Sequence, residues 1–489
     1  MTHPRFLVLV LDGLRPDLVT RTRMPALAAL RDRAASFAEA RAQFPSITRV
    51  NKVSLATGAW PGEHGIWANA FWDPAIFPDR AVDLAKTADV HDADRAAGRL
   101  ISVPTAGEYL ARAGLRYAVV HTARPGAAWL LDYRGDRLGH SHYAFAGPQD
   151  CTPADLPDAV AEALGPQPPA AFPNIAQARH AVRLWREVLR PRLDPHVSVL
   201  WLNEPDSSFH RDGPHGPAAT AALAGLDALV GDLLAWRDAE APDLHLVVAS
   251  DHGHARRAGY IDVAGRAAAA GFDFADAPAP GATLLRAETP CGVHAPAEAL
   301  DDLAPFVAWL QAQPWCGHVF AGAEDPVEGR FPGTLSLAAA GLTHPRVPPI
   351  VFLPRGDDAA DAEGFTGRAF CVRAGEGPAT GTSHGGLTEA EMRTVLIAEG
   401  DAFRSAVRLD SPAGIRDILP TLLDRLGLAP DPGAGGRILY EALAGGVAPG
   451  VRRETLRAAA GGHAQSLEIA HVAGSRYLLS GGTGRLAED

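Results

Sequence analysis

Lysine is nearly missing from this chain of 489 residues: of its 45 basic residues only Lys52 and Lys86 are lysines, and the others are arginine. Beside so many alanines, the arginines read as codon bias rather than an adaptation. Positive charge as a whole is short, because 57 acidic residues leave a net charge of −12 at pH 7. That balance argues against a face for nucleic-acid polymers. Cysteine is scarce too, with four residues at 151, 291, 316 and 371. Cys151 and Cys371 lie far from any partner at metal-ligand spacing, so free thiols in a reducing compartment are expected. Also missing is any apolar run near the roughly 20 residues that cross a bilayer, so no membrane partner is expected. The apolar stretch at 6–11 is shorter than a typical signal-peptide core and has no small-residue cleavage site close behind it. It reads as a buried first strand, and the expected location is cytoplasmic. Neither an internal repeat nor a low-complexity linker divides the chain.

What is present is an alternation. Short β-branched and leucine-rich runs at 6–11, 117–120, 197–202, 244–249, 349–353 and 395–398 are separated by helical periodicity, as at 24–38, 218–238 and 415–426. The fold class this implies is α/β, a mostly parallel central sheet with helices on both faces. Residues 255–375 break the rhythm, being rich in alanine, glycine and proline, with one amphipathic run at 303–313 and a strand candidate at 315–320. They read as an inserted cap segment between two parts of a catalytic core, 1–254 and 376–489.

In open parallel sheets reactive groups collect outside the carboxyl ends of the strands. Four clusters fall at such places: Asp12-Gly13, Asn203-Glu204-Pro205-Asp206 continuing to His210, Ser250-Asp251-His252-Gly253-His254, and Ser383-His384-Gly385-Gly386 in a loop before a further strand. Each alone has a plain structural explanation. An aspartate after a strand is as often a helix cap, and Ser383–Gly386 on its own is a glycine-rich turn. Their coincidence at one sheet edge is what points to chemistry, because carboxylate oxygen and imidazole nitrogen are the donors zinc accepts without cysteine. A nucleophile is then sought in the loop 43–51, which precedes a helix expected from 50 towards 57. A hydroxyl there faces free N–H groups and the positive end of the helix dipole. Ser46 and Thr48 both qualify, and either is equally readable as an N-cap.

At these residues the chain resembles the alkaline phosphatase superfamily, and within it the type I phosphodiesterase/nucleotide pyrophosphatase family. The likeness is carried by Leu11-Asp12-Gly13-Leu14-Arg15-Pro16-Asp17, Phe44-Pro45-Ser46-Ile47-Thr48-Arg49-Val50-Asn51, His64-Gly65-Ile66-Trp67-Ala68-Asn69, Asn203-Glu204-Pro205-Asp206, Ser250-Asp251-His252-Gly253 and Ser383-His384-Gly385-Gly386. The resemblance implies two zinc ions, one on Asp206, His210 and His384, the other on Asp12, Thr48, Asp251 and His252. It selects Thr48 over Ser46 as nucleophile, through the family's Thr-x-x-Asn element, here Thr48 and Asn51. It also makes Asn69 the ligand of a phosphate oxygen. The departures are Arg49-Val50 and Asn51-Lys52, where members commonly have Phe-Pro and Asn-His. They make the pocket more cationic, with Lys52 readable either as a substrate contact or as a surface helix lysine. No cysteine near 48 offers a formylglycine, so sulfatase chemistry is disfavoured.

The implied reaction is hydrolysis of small-molecule phosphodiesters or nucleotide pyrophosphates through a phosphothreonine on Thr48. Phosphonoacetate hydrolase, a relative with the same metal-site residues, is the nearest rival, beside phosphomonoesterase activity. The relative's paired lysines after a strand are matched here only by Arg124, in His121-Thr122-Ala123-Arg124-Pro125. The rival from another class is a metal-binding protein without catalysis.

Overall fold

The computed structural model describes residues 3–373, 381–430 and 435–484. Its central sheet has eight strands in the order Val407–Leu409, Ala35–Phe37, Leu396–Glu399, Leu244–Ala249, Arg5–Leu11, Val197–Leu202, Tyr117–His121, Ser141–Ala144. Neighbours run parallel except at Leu396–Glu399, which is antiparallel to both of its neighbours, so the sheet is mixed. The first strand shows why its sequence is apolar at every position from Phe6 to Leu11. Leu7, Leu9 and Leu11 enter one hydrophobic cluster with Leu223, Leu226 and Val230 of the helix Pro217–Glu240. Phe6, Val8 and Val10 enter another, with Leu110, Ile418 and Leu422. A strand covered on both faces buries both of its alternating sets, and each fully buried side chain of this size contributes about 1.5–3 kcal/mol.

Several sequence expectations shift. The helix expected over 24–38 is Pro25–Arg33 only, and Ala35–Phe37 is a strand wedged between Leu396–Glu399 and Val407–Leu409. A three-residue buried strand carries no period that separates it from the helix before it. The run at 349–353 is the strand Ile350–Pro354, but it pairs antiparallel in a separate five-stranded sheet, not in the central one. Pro217–Glu240 is long and apolar enough to cross a membrane by length and composition, yet its apolar residues sit in the core beneath the sheet. The four cysteines are free and buried.

Within the segment expected as a cap, Ala255–Ile261 and Thr366–Val372 share a four-stranded sheet with Gly356–Ala360 and with Thr382–Ser383 beyond it. A C-terminal meander that the sequence reading did not anticipate, Val451–Ala460, His463–Val472 and Ser475–Gly482, follows. Its Leu467, Ile469 and Leu478 join Phe44, Ile47, Val50, Phe320 and Val351 in one cluster. The loop before Thr48 therefore rests on apolar residues drawn from three distant parts of the chain.

Candidate metal centre and nucleophile

The parallel register aligns the strand ends: Leu11 pairs with Leu202, and Val10 with Ala249. Asp12, Asp206 and Asp251 therefore leave the sheet at one edge. The fourth cluster arrives differently, because Thr382–Ser383 is a two-residue strand pinned to Ala255 and Arg256, which sets His384 over the same edge.

There the side chains form two groups, Asp206 with His210 and His384, and Asp12 with Asp251 and His252. In the first, Asp206 Oδ1 lies 3.2 Å from His210 Nε2 and 3.5 Å from His384 Nε2, and the two imidazole nitrogens are 3.1 Å apart. In the second, His252 Nε2 lies 3.4 Å from Asp12 Oδ1 and 3.3 Å from Asp251 Oδ2. Thr48 Oγ1 stands 3.1 Å from the same His252 nitrogen. Donors bound at about 2.0 Å around a tetrahedral metal are separated by about 3.3 Å, so these triangles fit a metal of that kind.

Charge gives the same answer. Among the described residues Asp12 Oδ1, Asp206 Oδ1 and Asp251 Oδ2 are buried without a hydrogen-bond partner, a costly state for carboxylates unless a cation compensates them. Burial, and then the charge of Asp206, raises the pKa of Asp12. Burial, and then Asp12, raises Asp251 well above the usual carboxylate range. Asp206 is held well below that range although burial opposes it, chiefly by His210. His210 and His384 meet nitrogen to nitrogen, with Nδ1 of each within 2.9 Å of a backbone carbonyl, Thr382 O and Ser46 O. Arg257 approaches His210 Nδ1 less closely, at 3.3 Å. Two lone pairs directed at each other are favourable only with a positive charge between them.

Thr48 opens the helix Thr48–Thr57, among whose first residues the N–H groups lack intrahelical acceptors. Asn51 does not enter the site. Its side chain accepts from Gln43 N at 2.7 Å and donates to Gln43 O and Ile47 O at 3.1 Å, which clamps the loop that delivers Thr48. Ser46 also faces away from Thr48's partners. Its buried hydroxyl donates to Gly386 O at 2.8 Å and accepts from Gly385 N at 3.1 Å, tying the Thr48 loop to the His384 loop. Ser46→Ala should therefore lower stability by about 1–3 kcal/mol, the range for leaving buried polar partners unpaired. Urea unfolding of the metal-free protein reads this, and an unchanged midpoint would refute it.

A cleft of about 220 Å³ opens beside the metal groups, lined by Asp12, Thr48, Arg49, Lys52, Asn69 and Arg124 among others. Asn69 Oδ1 is buried without a hydrogen-bond partner among the described residues. Arg124 is exposed at the mouth. Lys52 corrects the surface-lysine reading, since it is 1 % exposed. One helical turn after Thr48, it shares that residue's face and sets its ammonium 4.3 Å from the Trp201 ring centroid. Burial pushes Lys52 down to about 8, against the pull of Asp12 and Asp251. Two residues went unassigned from sequence. Trp201 donates Nε1–H to Asp12 Oδ2 at 2.7 Å, and leaves Oδ1 to the metal group. His254 reaches Asp206 Oδ1 at 3.1 Å. Only the second histidine in Asp251-His252-Gly253-His254 signalled either.

Comparison with solved structures finds the fold in mouse ectonucleotide pyrophosphatase/phosphodiesterase 5, with a TM-score of 0.61 and 18% identity, covering 88% of this chain and 96% of that one. An inactive variant of that protein in complex with AMP matches equally well. The fold is the alkaline phosphatase-like one. Residues 6–355 match the family model of type I phosphodiesterase/nucleotide pyrophosphatase, and the chain belongs to that family of phosphoric ester hydrolases. Mouse ectonucleotide pyrophosphatase/phosphodiesterase family member 1 is 27% identical over 254 residues, 51% of this chain and 24% of that protein. An uncharacterised pyrophosphatase/phosphodiesterase of Schizosaccharomyces pombe is 40% identical over 68 residues, 14% of each. The matched stretches thus span a quarter or less of these curated relatives.

Proposed function

We propose that this protein is a two-zinc hydrolase of phosphodiesters or nucleotide pyrophosphates that works through a phosphothreonine on Thr48. The observation that carries the reading is the convergence of both Asp/His groups on a helix-terminal hydroxyl, Thr48 Oγ1, 3.1 Å from His252 Nε2. Asp206, His210 and His384 would hold one zinc, and Asp12, Asp251, His252 and Thr48 the other, the nitrogen-rich donor set suiting zinc over magnesium. When bound, the pair supplies the positive charge that favours the Thr48 alkoxide and neutralises charge on the phosphoryl oxygens.

Thr48 Oγ then bonds to phosphorus as the bond to the leaving oxygen breaks, and the leaving group departs with that electron pair and takes up a proton. Water releases the phosphoryl group from Thr48 in the second displacement, which returns the hydroxyl. Asn69 would donate to an equatorial phosphoryl oxygen, a contribution of about 3 kcal/mol for one well-aimed donor. The AMP complex of the mouse neighbour supports a nucleotide-sized substrate. We read 255–375 as a cap that bounds room for the second ester group. Supporting this, Thr289 packs so close to Gly385 that a Cβ there would come within 3.0 Å of it.

A second reading, preference for a dianionic monoester or for phosphonoacetate, is favoured by Lys52, whose buried ammonium has no acid or hydrogen-bond partner among the described residues. Arg49 adds to it, with only a 3.5 Å contact to Asn69 O, and Arg124 flanks the same mouth. The expected outcome is that kcat/KM for bis-aryl phosphate exceeds those for aryl phosphate and phosphonoacetate at fixed zinc. A tenfold preference for either dianion, about 1.4 kcal/mol in transition-state binding, would overturn the diesterase reading. Zinc uptake with no turnover on any member of the panel would leave a metal-binding protein without catalysis.

A further inference from the structure

Four imidazoles surround the carboxylates of the metal centre, and one is held unlike the others. His210, His252 and His384 each direct Nδ1 at a backbone carbonyl, Thr382 O at 2.9 Å, Gly253 O at 3.0 Å and Ser46 O at 2.9 Å. A carbonyl only accepts, so in all three Nδ1 carries the hydrogen and Nε2 offers its lone pair. His254 has no such carbonyl. Its Nδ1 faces the Thr382 hydroxyl at 3.0 Å, and a hydroxyl can donate. With Thr382 donating, the ring hydrogen moves to Nε2. That nitrogen lies 3.1 Å from Asp206 Oδ1, within donor–acceptor reach, and both atoms stand without a hydrogen-bond partner among the described residues.

The ring's position agrees with a role behind the ligands. His254 is fully buried, edge-on to Phe209 at 5.3 Å between centroids. Gly13, at φ +73°, leaves the space it occupies, since a Cβ there would stand 2.4 Å from His254 Nε2. His254 groups within 4.8 Å with Asp206 and His252, one residue from each metal group, and completes neither triangle.

We propose that His254 is a positioning residue: it donates its Nε2 hydrogen to Asp206 Oδ1 and fixes the one carboxylate in the His210/His384 group. The role rests on the two-metal reading above. Without the donor, Asp206 is free to rotate about its side-chain bonds and loses the orientation shared with His210 and His384. Thr382 serves twice, its carbonyl setting the tautomer of His210 and its hydroxyl the opposite tautomer of His254.

The test compares the full-length protein with His254→Met, His254→Gln and Thr382→Val. Zinc stoichiometry and affinity are read by competition with a chromophoric chelator, and the Tm of the metal-free proteins serves as the fold control. His254→Met should weaken one of two zinc sites by about 10–100-fold, the usual cost of losing an outer hydrogen bond to a metal ligand. His254→Gln, whose amide N–H reaches towards the Nε2 position, should recover to within about threefold of wild type, on the same outer-shell reasoning. Thr382→Val should weaken the same site with His254 intact, because it removes the hydroxyl and keeps the carbonyl on His210. Wild-type affinity in His254→Met overturns the role. So does His254→Gln as weak as His254→Met, which would make His254 a ligand rather than a donor. If wild-type protein takes up no zinc, the two-metal reading fails and this role with it, whereas unchanged variants of a zinc-binding protein sink the role alone.

Discussion

Thr48→Ala should lower kcat on a chromogenic phosphodiester by at least about 10³-fold, roughly 4 kcal/mol of activation free energy. The variant should nonetheless fold and bind substrate. The reason lies in what Thr48 does and does not touch: its hydroxyl meets His252 Nε2 at 3.1 Å and makes no other hydrogen bond among the described residues, while the loop is clamped by Asn51 and Ser46. Thr48→Ser, which keeps an oxygen at the same place, should retain measurable turnover. In the wild-type enzyme, rapid acid quench during turnover of a ³²P-labelled diester should trap label on Thr48. Turnover of Thr48→Ala within tenfold of wild type, or label on Ser46, would reject the nucleophile while leaving the metal centre in place.

Metal removal should have the second large effect. Dialysis against a strong chelator should abolish hydrolysis, and zinc should restore it better than magnesium, because imidazole-containing sites disfavour the harder cation. Stability should fall with activity, since the buried oxygens of Asp12, Asp206 and Asp251 then face one another uncompensated. A metal held at 100 times its Kd contributes about 2.7 kcal/mol by mass action, so Tm should drop clearly on chelation and recover on adding zinc. Full activity at a measured metal content of nil would end the two-metal reading.

Much of the fold was legible because its strands are buried on both faces. Such strands are apolar at nearly every position, and 197–202 and 244–249, broken only by Ser198 and His245, coincide with the strands found. The sheet assignment of 349–353 was not legible, since an apolar run reports burial and not the neighbour that buries it. The C-terminal meander was missed because half-buried antiparallel strands such as Val451–Ala460, mostly exposed or half-exposed, lack that signal. The site divides in the same way. Asp12, Asp251 and His252 stand in a short loop or turn directly after a strand, and Asp206 opens the helix Asp206–Asp212 four residues after one, so that position in sequence is nearly position in space.

Lys52 marks the limit. Four residues after Thr48, its place on the same face of the helix follows from periodicity alone. Its burial does not, for that depends on Trp201 and on the Pro125–Leu131 helix packed against its own. The sequence by itself determined the chemical types of the candidate metal ligands, the strand ends that carry them and the hydroxyl at the helix start. Only the tertiary structure decided that Ser46 is a brace, that Asn51 is a clamp and that His254 stands behind Asp206. Those roles rest on partners as far away as Gly386 and Thr382, and hydrogen bonds between residues distant in sequence leave no periodic trace in it.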